Sequence, residues 1–377
     1  VIAGVDVQTS IDIRHMAHAI GLARRGLYTT APNPRVGCVI ARGEHVIASG
    51  FHRRAGEEHA EVAALRAAHE SPAGATAYVS LEPCSHHGRT PPCAEALLAS
   101  GVARVVVATR DPNPLVAGDG IALLRAAGVT VECGLLEREA RALNPGFFKR
   151  MTTGLPWVRI KLAMSLDGRT AMADGSSKWI TGVAARADVQ RLRARSCAVI
   201  TGIGTVLHDD PRLDVRLAMN PGEEQAPRQP LRVVVDSQAR TPISARLLGP
   251  PGEAIVVTAG TDTVREGALT AAGARLLHLP GEDGRVDLRA LLEYLAAAQC
   301  NEVLIEAGAA LAGAVLRAGL ADELVFYVAP ALLGSSARAL FELPLTTMGE
   351  KVVLHISDVS AVGDDWRITA SVAAQAA

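Results

Sequence analysis

Aromatic residues are scarce: Phe, Tyr and Trp together make up 3% of the chain. That is too few to lay the stacking platforms on which single-stranded bases are held. Charge of one sign is also lacking. The formal net charge of -1 gives no general electrostatic pull toward nucleic acid or an anionic membrane surface. No apolar run reaches the roughly 18 to 20 residues that a membrane-spanning helix needs. The first ten residues, VIAGVDVQTS, show no basic stretch followed by a long apolar one, so no secretory signal is expected there. Cysteine is sparse and scattered (Cys38, Cys84, Cys93, Cys133, Cys197, Cys300), mostly within apolar text. That pattern fits buried thiols in a reducing compartment better than a disulfide framework. A cytoplasmic protein with neither nucleic-acid nor membrane partners is the expectation.

What is present is apolar material in quantity. Hydrophobic residues make up 49% of 377 residues and charged residues 20%, enough for more than one core, so two domains are expected. In the first half, helix and strand patterns alternate. IDIRHMAHAIGLARRG has helical spacing behind a possible Ser10 cap, and VGCVIA and HVIASG read as strands around a turn. Helix EEHAEVAALRAAHE, strand ATAYVSLE, helix CAEALLASG, strand ARVVVAT, helix GIALLRAAG and strand VTVECG follow, an α/β layered arrangement. At LNPGFFKRMTTGLPW the pattern lapses into Pro and Gly punctuation, which places a boundary near residue 153. The second half reads as strands WVRIKLAMS, CAVITG, LRVVVDS, AIVVTA, EVLIEAG, ELVFYVA, VVLHISDVS and WRITASVA with helices between several, while AMNPGEEQAPRQP is a surface loop. No fixed-period repeat is seen.

Chemistry gathers in LEPCSHHGRTPPC, residues 81 to 93, and in HAE, residues 59 to 61. One histidine nitrogen and two thiolates supply three of the four positions of a zinc ion and leave the fourth open for water. The set is therefore His59, Cys84 and Cys93, with Glu61 two residues from a ligand and placed to shuttle a proton without coordinating. H-x-E followed by P-C-x-x-C is the signature of zinc nucleobase deaminases; here the second gap is C-x8-C. The alternative is a closed structural site with His86 or His87 as fourth ligand, or two unrelated thiols near a surface histidine. Glu61 has no purpose in a structural site, which favours catalysis.

HAEV and LEPCSHHGRTPPC, with APNPRVGCVI ahead and TRDPNPLVAGDG behind, resemble the RibD family of riboflavin biosynthesis, which joins a pyrimidine deaminase to a pyrimidine reductase. KLAMSLDGRTA, SSKWITG, TVLHDDPRLDVR, VVVDSQ and EAGAALAGAVL extend the resemblance over nearly the whole chain. It implies a cytidine-deaminase-like three-layer domain over residues 1–153 and a dihydrofolate-reductase-like domain over residues 154–377. The implied cofactors are Zn2+ and NADPH, and the implied substrate is a diaminopyrimidinone bearing a ribosylamino 5′-phosphate. Glu61 would be catalytic. Asn33 looks like the substrate-orienting amide, although an Asn between prolines also caps turns. His52, His86 and Arg89 are further substrate-contact candidates, and His45 and His69 read as surface residues.

Carried over block by block, Ala163, Trp179, Thr205, Asp209, Ser237 and the turn Gly308, Ala309, Ala310, Leu311, Ala312, Gly313 and Ala314 look like NADPH contacts. Ser177, Arg193, Leu213, Arg216 and Glu306 look like substrate contacts. Lys161, Asp209 and Glu306 are the polar groups that could handle protons. The sequence departs from the family at Ala309-Ala310, where Pro-Thr is expected, and at Ser176, where an acidic residue is common. A homodimer or tetramer built through the reductase domains is expected by analogy. A tRNA-editing deaminase is disfavoured by the near-neutral charge, and a zinc-stabilised binding protein by the intact Glu61 and Asp209.

Overall fold

The computed structural model describes residues 7–85, 92–114, 116–217 and 227–373. His86, His87 and Arg89 lie outside the described residues. The chain packs as two compact units, residues 1–154 and 155–377.

The first unit contains α1 (Val7–Ala23), β1 (Gly37–Arg42), β2 (His45–Phe51), α2 (Ala60–Arg66), β3 (Thr76–Val79), α3 (Cys93–Ala99), β4 (Arg104–Val107), α4 (Asp119–Ala126), β5 (Thr130–Cys133), α5 (Glu137–Leu143) and α6 (Pro145–Thr153). Its sheet runs β2-β1-β3-β4-β5, antiparallel through β2, β1 and β3 and parallel from β3 to β5. Alternation along the strands creates two cores. Cys38, Ile40, Ala77, Val79, Val105 and Val107 pack with Ala60, Ala64, Leu97 and Leu124 of α2, α3 and α4. Their neighbours Val39, Ala41, Tyr78 and Val106 pack with Met16, Ala19 and Ile20 of α1 and Leu143 of α5. Successive side chains point to opposite faces, so three layers result.

Two readings of the sequence change here. Ser10 is not a cap: α1 already runs from Val7, and Gln8 Nε2 donates to Asp12 Oδ1 at 2.9 Å, one turn further on. The Pro- and Gly-punctuated stretch before the boundary is itself a helix, α6. Pro145 occupies its first turn, where a missing N–H costs nothing, and Gly154 ends it at φ 72°.

The second unit contains β6 (Trp157–Ser165), β7 (Arg169–Ala171), α7 (Val183–Arg195), β8 (Ala198–Gly202), α8 (Ile203–Asp209), β9 (Leu231–Val235), β10 (Ala254–Thr258), α9 (Thr263–Ala271), β11 (Arg275–His278), α10 (Leu288–Ala297), β12 (Glu302–Glu306), α11 (Ala309–Arg317), β13 (Glu323–Ala329), β14 (Arg338–Ala339), β15 (Leu354–Val362) and β16 (Asp365–Val372). A mixed sheet runs β11-β10-β9-β8-β12-β6-β13-β16-β15, and β7 pairs with β14 apart from it. From β11 to β13 all neighbours are parallel; β16 and β15 are antiparallel. β11 was not read from the sequence, because a four-residue edge strand carries too little pattern. Buried charge in the centre is paired: Arg159, 1% exposed, sits between Glu302 at 3.3 Å and Glu323 at 2.8 Å.

The β15–β16 hairpin is amphipathic in an unusual sense. The register shift between Ile356 and Asp358 absorbs Ser357 and keeps Leu354, Ile356, Val359 and Ala361 on one face with Trp366, Ile368 and Ala370. On that face Ile356, Val359 and Trp366 are more than half exposed. The opposite face is turned to α7, where Arg367 pairs with Asp188 at 3.0 Å. No helix among the described residues is long and apolar enough to cross a membrane.

Candidate active sites

In the first unit, His59 is the extended residue just before α2, with φ -74° and ψ 164°. The helix is therefore shorter than its apolar pattern suggested. Cys93 is the first residue of α3, and Cys84 follows β3. The potential ligand atoms of His59, Cys84 and Cys93 all lie within 4.8 Å of one another. His59 Nδ1 is 3.5 Å from Cys84 Sγ and 3.3 Å from Cys93 Sγ. This donor set and its compactness fit a zinc ion with one open position. Hydrogen bonding from Cys93 and His59 holds the Cys84 thiol well below its ordinary range, toward the thiolate that a metal takes. Glu61, in the first turn of α2, is 3% exposed, and burial pushes its carboxyl up to about 7.

Residues that the sequence reading passed over brace this centre. Glu82, 4% exposed, accepts from the backbone N–H groups of Asp111 at 3.2 Å, Gly118 at 3.1 Å and Ile121 at 3.2 Å. It thereby ties the strand end that carries Cys84 to the start of α4. A Cβ on Gly120 would stand 1.9 Å from the Pro83 carbonyl oxygen. We expect Gly120→Ala to displace Pro83-Cys84 and weaken zinc binding roughly 10- to 100-fold, as loss of support for metal ligands does; competition with a chromogenic chelator measures it. Unchanged affinity would show that the loop yields without moving Cys84.

Asn33 and His52 meet beside the ligands: Asn33 Nδ2 is 3.0 Å from His52 Nε2, and the rings of His52 and His59 stand edge-on with centroids 5.3 Å apart. Burial pushes His52 below the ordinary histidine range. His45 and His69 are exposed, as expected.

In the second unit a cavity of about 2610 Å³ opens over the strand ends. It is lined by Lys161, Ala163, Ser177, Trp179, Arg193, Thr205, Asp209, Leu213, Arg216, Ser237, Glu306, Gly308, Ala309, Ala310, Leu311 and Ala314. Ala312 and Gly313 do not line it. Ala312 is fully buried, and a Cβ on Gly313 would meet the Glu342 carbonyl oxygen at 2.4 Å, so these two pack α11 inward. Trp179 is no core aromatic: it is 70% exposed, with the Arg186 guanidinium 4.5 Å above its ring. Gly308 caps α11 without a side chain, which leaves the first N–H groups of a nine-residue helix for an anion. A dinucleotide fits this start, and the volume exceeds what one small ligand fills.

On the cavity floor Glu306 and Lys161 are register partners on β12 and β6. Arg193 Nε and Nη2 donate to the two Glu306 oxygens at 2.5 and 2.9 Å, and Nη1 donates to the Asp214 carbonyl at 3.2 Å. Burial pushes Glu306 up, yet the Arg193 charge and its forked hydrogen bonds win and hold the carboxyl below its usual range. Burial lowers the Lys161 ammonium, against the pull of Glu306. Asp214, 2% exposed, accepts from Arg216 and from Arg212 Nε at 2.9 Å. It organises the DDPRLDVR stretch, a role that the alternation of acid and base there could have signalled. Asp209 pairs with Lys178 at 3.5 Å, whereas Asp210 accepts from the backbone N–H of Arg246 at 2.8 Å, which separates the two aspartates. Ser176 donates to Asp174 at 2.7 Å, so an acid is supplied beside it.

Comparison with known proteins agrees over both units. Residues 9–109 match the cytidine and deoxycytidylate deaminase zinc-binding region, and residues 156–368 match the RibD C-terminal domain. The chain is 50% identical to riboflavin biosynthesis protein RibD of Escherichia coli, over 94% of this chain and 97% of that protein. It is 44% identical to the RibD of Haemophilus influenzae, over 96% and 97%. Among solved structures it resembles Acinetobacter baumannii RibD, with a TM-score of 0.89 at 48% identity, covering 97% of this chain and 100% of that one. A Thermotoga maritima structure described as a diaminohydroxyphosphoribosylaminopyrimidine deaminase and 5-amino-6-(5-phosphoribosylamino)uracil reductase gives 0.85 at 30% identity, over 97% and 99%. With matches to such relatives over 94% or more of its length, and a zinc-ligand trio in one unit and a dinucleotide-sized cavity in the other, the chain belongs to the RibD family, the bifunctional deaminase–reductases of riboflavin biosynthesis.

Proposed function

We propose that residues 1–153 hydrolyse the 2-amino group of 2,5-diamino-6-ribosylamino-4(3H)-pyrimidinone 5′-phosphate. Residues 154–377 then reduce the ribosyl group of the product to ribityl, giving 5-amino-6-ribitylaminouracil 5′-phosphate. The observation that carries this reading is Glu61 buried beside the His59, Cys84 and Cys93 trio.

Zinc, when bound, acidifies a water toward neutral pH and so supplies the nucleophile. Glu61 takes the proton released at the attack and returns it to the departing ammonia, while Asn33 orients the ring. In the second unit NADPH, when bound, supplies hydride to the ribose C1. The open N–H groups at the start of α11 receive its phosphates, and Ala309-Ala310 leave those backbone donors in place though a hydroxyl is missing. Ala163, Trp179, Thr205, Asp209 and Ser237 line the cofactor's path. Ser177, Leu213 and Arg216 hold the substrate, and Arg216, steered by Asp214, faces the 5′-phosphate. Arg193 spends its fork on Glu306, so it shapes the floor. Lys161 is the best-placed proton donor for ring opening: Glu306 is held ionised and Asp209 is paired with Lys178.

The substrate is a small phosphorylated pyrimidine, no nucleic acid or membrane takes part, and the setting is the cytoplasm. We place self-association, as a dimer or tetramer, on the apolar face of the β15–β16 hairpin, since a solvent-facing patch of this kind marks a contact surface. Ile356→Asp is expected to lower the sedimenting mass to that of a monomer; an unaltered mass would place the contact elsewhere. The function itself is tested by ammonia release and NADPH oxidation with zinc-loaded protein. Ammonia should appear without NADPH, and NADPH should be consumed only after ammonia has formed. NADPH oxidation with no ammonia would refute the proposed order.

A further inference from the structure

His52 follows β2 and is 2% exposed, and both of its ring nitrogens are engaged. Nδ1 lies 2.8 Å from the backbone carbonyl of Glu58, the residue directly before the ligand His59. A carbonyl oxygen only accepts, so Nδ1 carries the proton. In a neutral imidazole Nε2 then has only a lone pair to offer, and the Asn33 group facing it at 3.0 Å is the amide NH2. The amide oxygen of Asn33 is thereby turned away from His52, and it accepts no hydrogen bond among the described residues. The edge-on contact between the His52 and His59 rings puts this pair at the rim of the ligand trio. Without such a lock an amide can present either end, oxygen or NH2, to a bound ring.

We propose that His52 is a positioning residue for deamination: by keeping its proton on Nδ1 toward Glu58, it fixes the Asn33 amide with the oxygen free. The site then offers an acceptor to the N–H edge of the pyrimidine and disfavours rings that present an acceptor there. This replaces the direct substrate contact expected of His52, and it rests on the deaminase reading of the site.

The test uses the full-length zinc-loaded protein with His52→Asn, His52→Gln, Asn33→Ala and the double variant Asn33→Ala/His52→Asn. Asparagine keeps a polar group near the Nδ1 position and loses the one that meets Asn33. Glutamine places a carbonyl oxygen near the Nε2 position. Deamination kcat and KM, zinc content and NADPH-dependent reduction are read for each. His52→Asn is expected to lose about 10²-fold in deamination kcat/KM, the scale of a misoriented contact, with zinc content and reduction unchanged. His52→Gln is expected to recover most of the loss, and His52→Asn to cost nothing further in the Asn33→Ala background. A full loss in that background would overturn the proposal, because His52 would then touch substrate itself. Equal losses in the Asn and Gln variants with falling zinc content would also overturn it, by showing that His52 holds the metal site together. Zinc-loaded wild type that releases no ammonia would refute the deaminase reading itself.

Discussion

Glu61→Gln abolishes most of the deamination, lowering kcat by roughly 10²- to 10⁴-fold, the range that a positioned proton shuttle supplies. Zinc content and NADPH-dependent reduction stay at wild-type level. Glutamine is close to isosteric with glutamate and keeps a carbonyl oxygen for the hydrogen bonds that the Glu61 carboxylate accepts from its own backbone N–H and from Cys93, so the variant removes chiefly proton transfer. Ammonia release under saturating substrate, with zinc measured on the same sample, checks this. A variant that retains wild-type deamination would leave Glu61 without the role given to it. One that loses zinc along with deamination would show that the carboxylate supports the metal ligands and would leave its proton-shuttle role without support.

Arg193→Ala has the second large effect, and it falls on the other unit. Removing the guanidinium leaves Glu306, whose side chain is only 11% exposed, without its fork of hydrogen bonds. Breaking such a pair from one side costs about 3–5 kcal/mol, although Lys161 beside it recovers part of that cost. Thermal unfolding should show the lower stability, and reduction should fall to background while deamination continues. Arg193→Lys should restore little, because an ammonium cannot span both carboxylate oxygens. The pH dependence has a definite sign. Glu306 is held below its ordinary range, so the stability it contributes is fully present above the unfolded value of about 4.3 and is lost as the pH falls through the lower folded value. A variant as stable as wild type would mean that the carboxylate finds another partner.

The sequence made the zinc trio legible because its spacing is written in two short stretches, HAE and PC with C-x8-C, whose residue types have few other joint uses. The layered order of the first unit was legible because helix and strand patterns alternate along it in short local runs, whereas the split of the all-apolar Cys38, Val39, Ile40 and Ala41 between two cores was not, since a strand buried on both faces carries no polar alternation. What escaped is what the fold brings together from afar. Glu82 reaches backbone groups 29 to 39 positions away, and no local pattern marks a carboxylate that serves amides. The pairing of Arg193 with Glu306 spans 113 positions; both residues were singled out, but their union was not. His52 was read as a substrate contact, since nothing in the sequence shows that Glu58 and Asn33 occupy both its nitrogens. Ala312 and Gly313 fell within the expected cofactor turn, yet a helix has two sides, and these positions take the packed one. The apolar face of the last hairpin was hidden by Ser357, because the extra residue of the bulge breaks the alternation that would have revealed it.

The central claim is that one chain carries two sites acting in sequence on one phosphorylated pyrimidine. Mass spectrometry of the diaminopyrimidinone ribosyl phosphate, incubated with zinc-loaded protein with and without NADPH, tests it most directly. Exchange of an NH for an O is expected without NADPH, and gain of two hydrogens on that product only when NADPH is added. Gain of two hydrogens on a molecule that keeps its amino group would contradict the order of the sites. No mass change, with zinc verified in the protein, would contradict the claim altogether.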